Sequence, residues 1–71
     1  MKLETKKGII TGINTRRYFG FILGESGEKI FFHATGVVNS DFTKLKAGFS
    51  VEYLEVKDGS GKRKAIGVVV I

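Results

Sequence analysis

Apolar residues recur at every second position through most of this chain, the period of strands with one face buried. Segment 7–14 is rich in Ile and Thr and carries Gly8 and Gly12, the pattern of a strand bent or bulged at a glycine. Thr15-Arg16 makes a short turn into a second strand over 18–24. The polar loop Glu25-Ser26-Gly27-Glu28 has hairpin length and leads to a third strand over 29–33. Adjacency makes these three a meander. From 34 to 48 the alternation stops: Gly36, Asn39, Ser40 and Asp41 break it, and Phe42, Leu45 and Ala47 are isolated apolar points. This predicts a long connection with one helical turn, held down by Val37 and Leu45. A fourth strand follows over 49–56, then the flexible turn Asp58-Gly59-Ser60-Gly61, then a fifth strand over 64–71 that ends in Val68-Val69-Val70-Ile71.

Five short strands with a long break after the third predict an all-β fold, a small five-stranded antiparallel Greek-key barrel of the OB type. Closure is the physical requirement. A flat sheet of this size would leave one apolar face wet and two edges open to pairing. The inward residues expected are Ile10, Ile22, Ile30, Phe32, Val51, Ile66 and Val68. Alternate residues of a strand point to opposite faces, so Phe19 and Phe21 on one strand, and Phe31 and His33 on the next, then face outward. Gly20 between the first pair removes a side chain from the inner face and permits tight curvature.

Length and composition narrow the class. At 71 residues the chain is expected to form one domain, 1–71, of a size that buries only about 60% of its unfolded surface. It has no cysteine and a single histidine, which leaves no disulfide framework and no zinc site. No cofactor is implied. There is no apolar run long enough for a signal peptide or a membrane helix, and a cytoplasmic protein without membrane contact is the default expectation.

The charge is +5, with a sequence pI near 9.8, and its distribution says more than its sign. Lys2, Lys6, Lys7, Arg16 and Arg17 stand against Glu4 in the first 17 residues. Lys57, Lys62, Arg63 and Lys64 stand against Asp58 in 57–64, while 18–56 is slightly acidic. Two basic arms thus flank a nearly neutral aromatic middle, a layout suited to phosphates passing along the edges of an aromatic platform. Unstacked bases lie well on such a platform because every base offers a π-face. Any one Phe in a strand is more often core than platform; four rings in register opposite Ile22 and Ile30 reverse that weighting.

Arg17-Tyr18-Phe19-Gly20-Phe21-Ile22 and Ile30-Phe31-Phe32-His33 closely resemble the two RNA-binding motifs of the cold-shock domain, K-G-F-G-F-I and V-F-V-H. Without gaps the resemblance runs from Gly8 to about Glu55, through Asn14, Gly27, Phe42, Leu45, Gly48 and Val51, and it resumes at Ala65 to Val68. It implies the OB fold, binding of single-stranded RNA or DNA, and a role in RNA chaperoning or in regulating transcription or translation. Arg17 matches the motif lysine, Phe42 is implied as a flank of the platform, and Lys62 or Arg63 falls near the family's basic residue in the last turn. The chain departs from the pattern in several places. Thr11-Gly12-Ile13 stands where the family has Lys-Trp-Phe, Tyr18 replaces a glycine, Phe32 replaces a valine, and Ala34 replaces a ring after the histidine.

The expected nucleic-acid-binding residues are therefore Arg16, Arg17, Tyr18, Phe19, Phe21, Phe31, His33, Phe42, Lys62 and Arg63. No catalytic set is visible: the carboxylates are scattered, and His33 has no orienting partner in sequence. A small-molecule substrate is not implied. The competing reading is an OB-type protein-interaction module. The expected state is a monomer, and the terminal apolar run is the edge through which a second copy could pair.

Overall fold

The computed structural model describes residues 5–38 and 41–71. Lys2, Glu4, Asn39 and Ser40 lie outside the described residues. The strands are β1 (Thr5–Asn14), β2 (Phe19–Gly24), β3 (Lys29–His33), β4 (Ser50–Lys57) and β5 (Arg63–Val70). They close a barrel in the order β1-β2-β3-β5-β4. The connection after β3 carries two short 3-10 turns, Ala34–Gly36 and Phe42–Lys44, rather than one helical turn. One pairing departs from the antiparallel expectation: β3 and β5 run parallel, Phe31 beside Lys64 and Phe32 beside Ala65. The long connection brings the chain round so that β5 enters alongside β3 in the same direction.

Ile10, Ile22, Ile30, Phe32, Val51 and Val68 are buried as alternation demands, joined by Phe42, Leu45, Tyr53 and Ala65. Ile66 is the exception, only half buried while Ala65 takes the inward place. The cause is a bulge. Leu54 pairs with Ile66 and Glu52 with Val69, so Tyr53 alone opposes Gly67 and Val68. Gly67 absorbs the extra residue with a left-handed backbone, φ 58°, a conformation that glycine adopts without steric cost. Counting in steps of two back from Val68 crosses this bulge and lands on the wrong face.

A second bulge bends β1 between Ile10 and Gly12, as its glycines suggest. At Gly20 the close packing is literal: a Cβ there would fall 2.7 Å from the Phe32 ring and 2.7 Å from the Gly12 carbonyl oxygen.

The terminal apolar run is not a free edge. Val70 pairs with Val51, Val37 bridges to Val68, Val38 N–H donates to the Val68 carbonyl, and Ile71 N–H donates to that of Ser50. The backbone of the run through which a second copy could have paired is thus engaged within the barrel at Val68, Val70 and Ile71.

Candidate nucleic-acid interface

The outer face of β1, β2, β3 and β5 is a lattice set by register. One cross-strand row reads Gly12, Phe21, Phe31, Lys64; the next reads Asn14, Phe19, His33. Residues directly opposite in a ladder share a face, so these side chains stand together outside. Phe19, Phe21 and Phe31 form a triangle with centroid separations of 5.7, 5.7 and 6.0 Å and planes inclined by 57° to 69°. No pair is stacked face to face; the rings steady one another through tilted and edge contacts.

Cations border the rings. Lys29 Nζ lies 4.4 Å from the centroid of Phe21, within cation–π range. Lys64 flanks Phe31 through the parallel pairing. Arg16 and Arg17 are exposed in the β1–β2 turn, where both backbone N–H groups donate to Asn14 Oδ1 at 3.1 Å. Lys62 and Arg63 are exposed where the β4–β5 turn enters β5. That turn is shaped by Asp58 Oδ1, which accepts from Ser60 N–H (2.8 Å), Ser60 Oγ–H (2.7 Å) and Lys62 N–H (3.0 Å). The hydrogen bonds from Ser60 and Lys62 hold the Asp58 carboxyl below its ordinary range.

His33 is exposed and oriented. Thr35 N–H donates to its Nδ1 at 3.2 Å, and Thr35 Oγ1 lies 3.0 Å from the same nitrogen. With Nδ1 accepting, the neutral ring carries its proton on Nε2.

Phe42 is not an exposed flank. It is 7% exposed and belongs to the core, its ring 6.1 Å from that of Phe32. Its irregular segment gives no parity from which to read the burial. Tyr18 takes the outer position instead, 55% exposed, with its ring centroid 6.3 Å from Phe42. Tyr18 is also the one non-glycine residue with positive φ among those described, at 57°, which accounts for the glycine the family places there.

Lys29 is a neighbour of the platform absent from the expected set, although it shares strand parity with Phe31 and His33. Lys64, expected in the basic arm, meets Phe31 only through a register between strands far apart in sequence. Among the described residues, no group of three or more His, Cys, Asp or Glu could hold a metal ion, and no helix is long and apolar enough to cross a membrane.

A closed five-stranded barrel of this strand order, bearing surface rings bordered by cations, defines the chain as an OB domain with an exposed aromatic face. The chain belongs to the cold-shock family: the model of the 'Cold-shock' DNA-binding domain matches residues 6–71. It is 35% identical to cold shock domain-containing protein 4 of Arabidopsis thaliana over 66 residues, 92% of this chain and 33% of that protein. It is 34% identical to the cold shock-like protein CspE of Bacillus anthracis, covering 92% of this chain and 96% of that one. The chain thus spans about a third of the plant relative and nearly all of the bacterial one. In fold it is similar to a solved structure of Drosophila Unr cold-shock domains, with a TM-score of 0.78 and 24% identity over 97% of this chain and 27% of that one.

Proposed function

We propose that this protein binds single-stranded RNA or DNA without catalysis, as an RNA chaperone or a regulator of transcription or translation. The observation that carries this is the outward triangle of Phe19, Phe21 and Phe31, with inclined faces and Lys29 and Lys64 beside it. Bases stack on the rings and on Tyr18 and His33, each stacked base contributing roughly 1–3 kcal/mol. Arg16, Arg17, Lys62 and Arg63 meet phosphates at either end of the track. A single strand offers unstacked bases to such a surface, whereas a duplex keeps its bases in the stack.

The test is fluorescence anisotropy of short oligo-U, oligo-T and oligo-A over a salt series. Saturable binding at low salt is expected, with a log–log slope of roughly −3 for about four neutralised phosphates. Absence of saturable binding, or unchanged affinity in both Phe19→Ala and Phe31→Ala, would refute the reading.

A further inference from the structure

One position of the aromatic lattice carries no side chain. Gly12 pairs with Phe21 across β1 and β2, so a side chain at 12 would stand on the outer face beside that ring. A Cβ built there meets no heavy atom within 4 Å, whereas at Gly20 it would overlap the Phe32 ring. The backbone at Gly12 is not left-handed either. Neither packing nor conformation demands glycine at this position. What the missing side chain leaves is an open groove of about 270 Å³ lined by Gly12, Ile13, Asn14, Phe19, Gly20 and Phe21.

The lining specifies the occupant. The volume lies just under the roughly 300 Å³ at which small-molecule pockets begin, enough for one flat ring system. Two walls are phenylalanine rings and the floor is backbone beside Ile13. No charged side chain lines it, which disfavours a phosphate or a cation. The single polar side chain is Asn14, whose Oδ1 is already committed to the N–H groups of Arg16 and Arg17. Its amide nitrogen is what remains, and it can only donate.

We propose that the Gly12 groove is a subsite for one nucleobase of the bound strand, seated against Phe19 and Phe21 at the level of the rings rather than stacked above them. Asn14 Nδ2 donates to a carbonyl oxygen of that base, which favours uracil or thymine over adenine. This rests on the reading of the face as a single-strand interface and adds to it a base pocket where a side chain would otherwise close the platform.

The experiment pairs protein variants with a uridine heptamer in which one abasic nucleotide is stepped along the strand. Gly12→Ile fills the groove with a chain that has no π-face, and Gly12→Ala leaves it open. In the unsubstituted protein and in Gly12→Ala, one abasic position is expected to cost about tenfold in affinity. Gly12→Ile is expected to bind the intact strand about tenfold more weakly and to lose nothing more at that position. Photo-crosslinking of 4-thiouridine at the same position to the unsubstituted protein is expected to label the peptide carrying 12–14. A folded Gly12→Ile that binds as tightly as the unsubstituted protein, or labelling only of the peptide carrying Phe31 and His33, overturns the subsite. If the unsubstituted protein binds no heptamer at all, the functional reading itself falls; binding that is indifferent to Gly12 removes only this inference.

Discussion

The ring of Tyr18 lies against that of Phe42 at 6.3 Å and 52°, on a backbone held left-handed at φ 57°. An aromatic residue in that conformation costs on the order of 1–2 kcal/mol. Tyr18→Gly relieves the strain and loses a ring contact of about 0.5–1.5 kcal/mol. The two effects oppose, so stability in urea melts should change by no more than about 1 kcal/mol, while oligonucleotide affinity falls several-fold. A large loss of stability with affinity intact would make Tyr18 a lid on the core and nothing else.

Neighbouring phenylalanines should separate cleanly. Phe31 is 36% exposed on the platform and Phe32 is fully buried. Phe31→Ala should weaken oligonucleotide binding by roughly 1–3 kcal/mol and cost about 1 kcal/mol of stability through its ring contacts. Phe32→Ala should cost roughly 3–5 kcal/mol, comparable to the whole stability expected of so small a domain. Thermal melts and anisotropy on the two variants make the comparison, and equal destabilisation would contradict the parity of β3.

Tyr53 is buried inside the barrel, and its hydroxyl has no hydrogen-bond partner among the described residues. Burial, and then the carboxylates of Glu28, Glu55 and Glu25, push its pKa above the ordinary 10.0. The fold therefore favours the protonated phenol, and stability falls as pH rises from 10.0 toward the raised folded value. Tyr53→Phe should change stability at pH 7 by less than about 1 kcal/mol and flatten the alkaline loss in urea melts between pH 9 and 11. An unchanged alkaline slope would assign the loss to other groups.

Asp58 should titrate below its ordinary 3.8, because the hydrogen bonds from Ser60 and Lys62 favour the carboxylate. Its contribution to the turn is full above that ordinary value and is lost as pH falls through the lower folded one. The amide resonances of Ser60 and Lys62 should follow the same midpoint in an NMR titration. A midpoint at or above 3.8 would mean that the carboxylate does not organise the turn bearing Lys62 and Arg63.

Which residues share a face is legible in the sequence, because it is a property of the extended backbone over two or three residues. Ile22, Ile30 and Phe32 point in, and Phe19, Phe21, Phe31 and His33 point out, for that reason alone. The paired motifs and the departure at Thr11-Gly12-Ile13 were equally visible. Other features turn on contacts between residues far apart in the chain. The Gly67 bulge that exchanges Ile66 for Ala65 shows itself only against Tyr53 on β4. Phe42 is buried because an irregular segment folds back onto Phe32, and Lys64 reaches Phe31 through a parallel register. The groove at Gly12 exists because β2 sets Phe21 beside a position with no side chain. Local periodicity decides the side on which a residue stands; closure of the barrel decides what stands next to it.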